Sequence, residues 1–294
     1  MKRSVLCVGG DARMIYMCEK LARDADVYSY LIGSPPRGVK AVGSLEDVMG
    51  RADVLVLPML RGVRHSGGKH YLQCGLTSLE LSELLPVLRD GAVVTGGLPD
   101  AETAVFFERN GFELIDYFKR RELVIRNCIP TAEGALMIAM QEQAFTVFGS
   151  RVLITGFGNV AAAAARLFKA AGAKVCCAVR RCDAAAEAES AGYESVMFDR
   201  LGERISEADT VINTVPALVL TAPLLKKLEP KALVIDLASV PGGVDKEAAE
   251  ALGVRCVHAL ALPGRVAPVT AGRYIAEAVE HIISERGEQN VIGR

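Results

Sequence analysis

The chain has 294 residues and a formal net charge of −1, and its composition is 51% hydrophobic but only 5% aromatic, without tryptophan. The near-neutral charge argues against a basic nucleic-acid-binding surface, and the scarcity of aromatic rings argues against stacking platforms for bases or sugars. The length favours two domains over one.

Eight cysteines are spread along the chain, and none of them forms a Cys-x-x-Cys pair. This distribution is typical of reduced core residues, and no histidine, cysteine or carboxylate cluster has the spacing of metal ligands. No apolar stretch reaches the length of a membrane span or of a signal-peptide core. We therefore expect a cytoplasmic protein with no metal and no membrane partner.

The first part of the chain alternates strand and helix patterns, which is typical of a doubly wound α/β unit. Thr77 begins a Thr-Ser-Leu-Glu capping box and so predicts a helix from there to residue 88. We assign residues 1–128 to an N-terminal substrate domain. Its other predicted elements are a strand at residues 4–8, a helix to residue 23, strands at residues 27–32, 53–58 and 92–95, and a helix at residues 101–110.

A long apolar helix is predicted at residues 129–147, which we interpret as the bridge between two domains. Its expected start is the segment Ile129-Pro130-Thr131-Ala132-Glu133-Gly134. Thr131 suits the N-cap position, and Glu133 suits the positive end of the helix dipole. Glu133 is also a candidate general base.

A glycine-rich turn follows the next strand, at residues 152–155. The turn Gly156-Phe157-Gly158-Asn159-Val160-Ala161 leads into a helix of small residues and then into a strand at residues 174–179. Glycine adopts a tight turn without steric cost, and its missing side chain lets a pyrophosphate approach the N–H groups of the helix. This context is typical of a dinucleotide-binding Rossmann domain, which we assign to residues 148–270. The first cofactor-binding candidates are Gly156, Gly158, Asn159 and Val160.

The second strand of this unit ends at Arg180 and Arg181 rather than at the acidic residue that binds the ribose of NAD. Two guanidinium groups suit the 2′-phosphate of NADP. Asp183 lies slightly beyond the strand, so NAD stays open as the alternative cofactor.

Loops after the later strands supply the other cofactor-binding candidates, because such loops run along the ribose and nicotinamide. Strands are predicted at residues 210–213, 232–236 and 255–257, and a final helix at residues 271–286 is expected to pack back on the N-terminal domain. The loop candidates are Thr214, Val215, Pro216, Ala238, Ser239 and Pro263.

A small dianionic substrate requires arginines, hydroxyls and helix N-termini aimed at its carboxylates. Arg13 follows a Gly-Gly turn at a helix start and is the leading carboxylate partner, while Asp11 either orients Arg13 or caps that helix. The basic loop that contains His65 could close over the substrate or contact a partner subunit. Alternatively, it is an ordinary solvated loop. The catalytic candidates are Arg13, Glu133, Thr131 and Asp11, and the substrate-binding candidates are Gly264, Pro268, Thr270 and Thr77.

Several segments resemble the family of dipicolinate synthase A subunits, in the family's order and over nearly the whole chain. The wider architecture resembles that of D-2-hydroxyacid and alanine dehydrogenases, which implies a flavodoxin-like domain beside the Rossmann domain with a cleft between them. The segments are Gly9-Gly10-Asp11-Ala12-Arg13, the bridging-helix start at residues 129–134, Ile212-Asn213-Thr214-Val215-Pro216, Asp236-Leu237-Ala238-Ser239, Pro241-Gly242-Gly243 and residues 262–272.

The resemblance implies an NAD(P)-dependent oxidoreductase that converts a dihydrodipicolinate-level intermediate of the lysine pathway to dipicolinate. It also implies a partner, the flavoprotein-like B subunit of dipicolinate synthase, and a location in the mother cell of a spore-forming bacterium. Val240 stands where hydroxyacid dehydrogenases carry a catalytic arginine, and His258 matches no catalytic histidine of theirs. A D-2-hydroxyacid or amino-acid dehydrogenase and a non-catalytic NADP-binding regulatory protein stay open as alternatives, as does a homo-oligomer.

Overall fold

The computed structural model describes residues 2–292, with side chains up to residue 286. The chain forms two compact units. Unit 1 comprises the residues up to Val124 together with those from Ala267 onward, and unit 2 comprises Ile125–Val266. Unit 1 is therefore discontinuous in sequence, whereas unit 2 is a single stretch.

Unit 1 is built on a parallel sheet with the strand order β3-β2-β1-β4-β8-β9. Without the two-residue edge strand β3, this order follows the 2-1-3-4-5 pattern of flavodoxin-like domains. The strands of unit 1 are β1 (Ser4–Val8), β2 (Asp26–Tyr30), β3 (Lys40–Ala41), β4 (Ala52–Met59), β5 (Arg64–Ser66), β6 (Lys69–Cys74), β7 (Thr77–Glu80), β8 (Leu88–Gly97) and β9 (Leu114–Asp116).

Unit 2 is built on a second parallel sheet, with the order β12-β11-β10-β13-β14-β15. Counted from β12 as the third strand, this is the 3-2-1-4-5-6 order of the Rossmann fold. The prediction of two parallel-sheet α/β domains, one of them of Rossmann type, is confirmed. The strands are β10 (Arg151–Thr155), β11 (Lys174–Val179), β12 (Glu194–Met197), β13 (Thr210–Asn213), β14 (Leu233–Asp236) and β15 (Arg255–His258).

The helices connect the strands and cover the sheets, as the parallel arrangement requires. Short 3₁₀ segments add to them at Leu45–Val48, Leu81–Val87, Tyr117–Lys119, Phe198–Arg200 and Ile205–Glu207. The α-helices are α1 (Ala12–Leu21), α2 (Ala101–Arg109), α3 (Arg121–Glu142), α4 (Asn159–Ala170), α5 (Cys182–Ser190), α6 (Leu201–Arg204), α7 (Ala222–Leu225), α8 (Lys246–Ala251), α9 (Leu262–Val266) and α10 (Pro268–Ile292).

The helix predicted from the Thr77 capping box is wrong. Thr77 begins strand β7, which pairs with β6 in an antiparallel sheet, with Leu79 opposite Leu72. Both leucines are buried, so strand pairing outweighs the local capping pattern. A capping box does occur here, but it is formed by Glu80 and Glu83 at the start of the 3₁₀ segment.

The start predicted for the bridging helix is also wrong. Helix α3 begins at Arg121, so Pro130 and Thr131 lie inside it, and it ends at Glu142 rather than at residue 147. A proline inside a helix removes one hydrogen bond and crowds the preceding turn, yet the helix continues through Pro130, which is buried.

Helix α3 is long and apolar enough, by length and composition alone, to cross a membrane. The expectation that no stretch reaches that length was therefore wrong. The apolar character has a structural explanation, because Ala132, Ala135, Ile138 and Ala139 are buried in the core of unit 2.

Helix α10 belongs to the core of unit 1 although it comes last in the chain. Ile275, Val279 and Ile282 are buried in one cluster with Met17 and Cys18 of α1. This packing makes α10 an integral part of the first unit.

Candidate nucleotide and substrate sites

The glycine turn of unit 2 joins β10 to α4 at Gly156–Gly158. Gly156 has a φ of 89°, and a Cβ there would lie 3.0 Å from the Thr214 hydroxyl, so the turn requires glycine. Gly158 is the N-cap of α4, and a Cβ added to it would meet no described atom within 4 Å. Ala161 is fully buried against the sheet. The open space over Gly158 and the unpaired N–H groups of α4 fit a bound pyrophosphate.

A cavity of about 300 Å³ adjoins this turn. The Arg180 guanidinium lies 5.1 Å from the centre of the Phe198 ring, and Arg181 pairs with Asp183 at 2.8 Å. Both arginines are exposed at the end of β11. The residues lining the cavity are Gly156, Phe157, Gly158, Val179, Arg180, Arg181, Ala184, Phe198 and Val215.

A buried polar network fixes the neighbouring loops of unit 2. Thr155 donates a hydrogen bond of 2.6 Å to Asn213, and Asn213 donates one of 2.7 Å to Asp236. Asn213 and Asp236 are 0% and 1% exposed. Asp236 in turn accepts bonds from the backbone N–H groups of Ala238 and Gly243. Sequence reasoning did not assign Asn213 or Asp236 a role, although a polar residue that closes an apolar strand is a usable signal.

The other cofactor candidates of unit 2 differ in how close they lie to the cavity. Thr214 donates a hydrogen bond of 2.6 Å to the Thr155 carbonyl, and Val215 lines the cavity. Ala238 is held by Asp236, whereas Pro216 and Ser239 are exposed. Asn159 and Val160 form the start of α4 and Pro263 lies in α9, outside the residues that line the cavity. Gly264, a substrate-binding candidate, also lies in α9.

His258 has a structural setting in unit 2. Its Nε2 lies 3.1 Å from the Ala238 carbonyl, and its Nδ1 lies 3.0 Å from the Lys246 amine. These contacts hold the loop after β14 to the end of β15.

Arg13 lines a small cavity in unit 1. It is 6% exposed, and its Nε and Nη2 donate to the Asp11 carboxylate at 2.9 Å and 2.6 Å. Nη2 also donates to the Met59 sulfur at 3.0 Å, while Nη1 makes no hydrogen bond with the described residues. The cavity has a volume of about 100 Å³ and is lined by Gly10, Asp11, Arg13, Met14, Pro58, Met59, Gln73, Tyr117 and Ile275.

Asp11 both orients Arg13 and caps α1, the two roles that the sequence left open. Its carboxylate accepts a hydrogen bond of 3.0 Å from the Arg13 backbone N–H. Burial by itself would raise the pKa of Asp11, but the hydrogen bonds and charge of Arg13 outweigh burial and hold that pKa below its usual value. Burial likewise opposes the charge on Arg13, and Asp11 raises its pKa. The pair is therefore ionised at neutral pH.

The start of α10 packs closely against α1. A Cβ on Gly272 would lie 2.4 Å from the Arg13 carbonyl oxygen. Pro268 begins α10 and Thr270 lies in its first turn, so these candidates belong to the same unit as Arg13. Thr77 is exposed on β7 and does not line the Arg13 cavity. Gln73 and Tyr117 do line it, and no sequence pattern distinguished them.

Thr131 and Glu133 do not have the helix-terminal environment that the sequence predicted. The Thr131 hydroxyl donates to the Asn127 carbonyl at 2.9 Å, a bond inside α3, so it is not an N-cap. Glu133 is exposed two residues further along the same helix, about three turns from its start at Arg121.

Comparisons with known proteins match both units. Residues 4–118 match the N-terminal domain of the dipicolinate synthase A subunit, and residues 131–259 match the NAD-binding domain of D-isomer-specific 2-hydroxyacid dehydrogenases. The dipicolinate synthase A subunit of Bacillus subtilis is 31% identical over 96% of this chain and 96% of its own length.

Solved structures give the same result. The crystal structure of the dipicolinate synthase A subunit from Bacillus halodurans superposes with a TM-score of 0.84 and 32% identity, covering 95% of this chain and 97% of that one. The corresponding crystal structure from Bacillus subtilis superposes with a TM-score of 0.86 and 28% identity, covering 98% of each chain. Unit 2 is thus a nicotinamide-dinucleotide-binding domain of the dehydrogenase type. With these similarities extending over nearly its whole length, the chain belongs to the family of dipicolinate synthase A subunits.

Proposed function

We propose that this protein oxidises a dihydrodipicolinate-level intermediate to dipicolinate with a nicotinamide dinucleotide as hydride acceptor. The match to the dipicolinate synthase A subunit over 96% of both chains carries the proposal. The glycine turn of unit 2 and the buried Arg13 of unit 1 support it, because the reaction requires a dinucleotide and a dicarboxylate.

The reaction removes one hydride and one proton from the dihydropyridine ring, which leaves the aromatic pyridine with both carboxylates intact. When bound, an oxidised nicotinamide would supply the hydride acceptor. The gain of aromaticity favours the products, so the side chains mainly have to bind and orient the substrate and accept one proton. We assign proton acceptance to the exposed carboxylate of Glu133.

Unit 1 is proposed to bind the substrate carboxylates. Arg13 offers Nη1 to one carboxylate while Asp11 holds the guanidinium in place. The N–H groups in the first turn of α10, at Val269 and Thr270, have no partner within the helix and suit a second carboxylate. Pro268 begins the same helix and is a further proposed contact, whereas Gly264, Thr77 and Thr131 do not line the Arg13 cavity.

The proposed cofactor is NADP, with Arg180 and Arg181 at its 2′-phosphate. Asp183 is paired with Arg181, so its carboxylate is less available to a ribose hydroxyl. We expect Arg180→Gln and Arg181→Gln to weaken NADP binding by about 10- to 100-fold each, because each removes a charge-assisted hydrogen bond. Calorimetric titrations with NADP and NAD measure this, and NAD affinity should stay unchanged.

Arg151→Gln is the matched control, because Arg151 lies at the opposite end of the same sheet, in β10, and pairs with Asp209. Equal affinity of wild-type and both variant chains for NADP would contradict 2′-phosphate recognition. Tighter binding of NAD than of NADP by the wild-type chain would show that NAD is the cofactor.

We also propose that the chain works with a second subunit, since its relatives are named as one subunit of a synthase. The resemblance to dipicolinate synthase extends this proposal to a flavoprotein-like partner and to the mother-cell cytoplasm. The decisive assay mixes the full chain with a freshly generated dihydrodipicolinate-level intermediate and NADP or NAD, with and without that partner. Dipicolinate and reduced nucleotide should appear in equal amounts. The absence of product under all four conditions would refute the assignment, and turnover of 2-hydroxy or 2-amino acids instead would favour a different dehydrogenase.

A further inference from the structure

Two histidines face each other across the β5–β6 hairpin of unit 1. The turn residues Gly67 and Gly68 have φ angles of 59° and 76°, as a two-residue hairpin turn requires. This turn pairs His65 directly with His70. Their Nδ1 atoms lie 2.7 Å apart.

A carboxylate from a different element completes the group. Glu102, in the first turn of α2, places its Oε1 3.6 Å from the Nδ1 of His65 and 4.0 Å from the Nδ1 of His70. A point in the plane of these three atoms lies about 2.0 Å from each of them, which is the length of a Zn–N or Zn–O bond. The two Nδ1 atoms are also within hydrogen-bonding distance of each other, so a bound ion would take the place of the proton between them. The three ligand atoms are close enough to share one ion.

The surroundings of His65 favour the metal-binding form of its ring. Its Nε2 lies 2.9 Å from the Oδ2 of Asp100. When Nε2–H donates to that carboxylate, Nδ1 is left as a lone-pair donor directed at the ion, the usual carboxylate–histidine–metal arrangement. Asp100 is itself fixed, because its Oδ1 accepts a hydrogen bond of 2.7 Å from the Thr103 N–H as the N-cap of α2.

His70 is held by packing rather than by a carboxylate. It is 9% exposed, and its ring centre lies 4.8 Å from that of Phe106. The ligand set thus has a buried histidine, an oriented histidine and a carboxylate that is 59% exposed.

We propose that His65, His70 and Glu102 bind a divalent transition-metal ion, with Zn²⁺ as the best match, and that Asp100 is a positioning residue for His65. Two imidazoles and one carboxylate are a known donor set for Zn²⁺, and three protein ligands leave a fourth position for water. The ion ties the tip of the β5–β6 hairpin to the start of α2. The site shares no residue with the nucleotide cavity or the Arg13 cavity, so it is independent of the proposed function.

The test is Zn²⁺ binding by the full, untagged chain after removal of metal. Competition with a chromophoric chelator gives affinity and stoichiometry, and thermal unfolding gives a second readout, because an ion that binds only the folded state raises Tm. We expect one Zn²⁺ per chain and a Zn²⁺-dependent rise in Tm. Dipicolinate must be absent from the buffer, since its ring nitrogen and two carboxylates chelate metal.

Variants separate the ligands from the positioning residue. His65→Asn and Glu102→Gln should each lower Zn²⁺ affinity by more than about 100-fold, and Asp100→Asn by about 10- to 100-fold. Asparagine caps a helix as well as aspartate does, so the Asp100 change leaves α2 capped. His281→Asn is the control, because His281 pairs with a carboxylate but has no second histidine beside it among the described residues.

Substitution of the buried His70 could lower Zn²⁺ affinity by unfolding the hairpin. Glu102→Gln avoids this problem, because Glu102 is exposed. Substoichiometric Zn²⁺ on the wild-type chain, or equal affinity of the wild-type, His65→Asn and Glu102→Gln chains, would overturn the site. Equal affinity of the wild-type and Asp100→Asn chains would overturn the role of Asp100.

Discussion

At the scale of single residues, the Asp11–Arg13 pair shows how a local motif becomes a binding group. The buried guanidinium would be unfavourable alone, and Asp11 compensates it with bonds to both Nε and Nη2. Because these atoms are occupied, the orientation of Arg13 is fixed and Nη1 is left for a ligand. A buried arginine held in this way is preorganised for a carboxylate.

We expect Arg13→Lys to raise KM for the dicarboxylate by about 10- to 100-fold, because lysine keeps the charge but loses the planar fork. The first-order rate constant kcat should change less than KM, because the contact holds substrate and transition state alike. Steady-state kinetics measure both constants. An unchanged KM would remove Arg13 from the substrate site.

We expect the stability difference between the wild-type chain and the Asp11→Asn variant to depend on pH. The pKa of Asp11 is lower in the folded chain than its ordinary value. The charged carboxylate therefore stabilises the folded state at pH values above the ordinary pKa of aspartate. This stabilisation is lost as the pH falls through the lowered pKa. Asparagine retains the cap. Thermal unfolding should therefore show a Tm deficit of the variant at neutral pH that shrinks on acidification. A deficit independent of pH would mean that the charge of Asp11 does not stabilise the fold.

At the scale of elements, strand pairing and helix packing decide between competing local signals. The Thr77 segment satisfies a capping pattern, yet burial of Leu79 opposite Leu72 makes it a strand. The Gly67–Gly68 turn is a hairpin signal, but only a loop was expected here; the structure pairs His65 with His70 across it. The approach of Glu102 does not follow from the sequence, because it depends on how α2 packs.

The packing of α10 on α1 predicts an unusual response at Gly272. Alanine normally stabilises a helix relative to glycine by about 1 kcal/mol. Here a Cβ would lie 2.4 Å from the backbone oxygen of Arg13, so we expect Gly272→Ala to destabilise the protein by roughly 1–3 kcal/mol. Denaturant unfolding measures the change.

Gly43→Ala is the control for Gly272, because a Cβ at Gly43 meets no described atom within 4 Å. Its stability should match that of the wild-type chain. A stabilised Gly272→Ala variant would show that the two helices separate without penalty.

At the scale of the whole molecule, both units are parallel-sheet α/β units, but they are assembled from the chain in different ways. Unit 2 is one continuous stretch, whereas unit 1 requires residues from both ends of the sequence. The reason is the apolar face of α1, where Met17 and Cys18 are buried together with Ile275 and Val279 of α10.

A chain ended after Val266 should therefore lose unit 1 but keep unit 2. Removing α10 exposes the apolar face of α1, and we expect rapid proteolysis of residues 1–124 with protection of residues 125–266. Nucleotide titration should still detect binding by the truncated chain. The full-length Arg273→Ala variant, altered on the exposed face of α10, should resist proteolysis as the wild type does.

The sequence by itself determined most of the alternation of strands and helices and the glycine turn between β10 and α4, and it indicated Asp11 as a cap or a partner of Arg13, because each depends on neighbouring residues and on backbone conformations that only certain residues adopt. The tertiary structure alone decided the Asn213–Asp236 network, the cavity that brings Gln73 and Tyr117 to Arg13, and the meeting of Glu102 with the two histidines. Those groups are joined by packing between distant segments, and no spacing along the chain encodes the distance between their atoms.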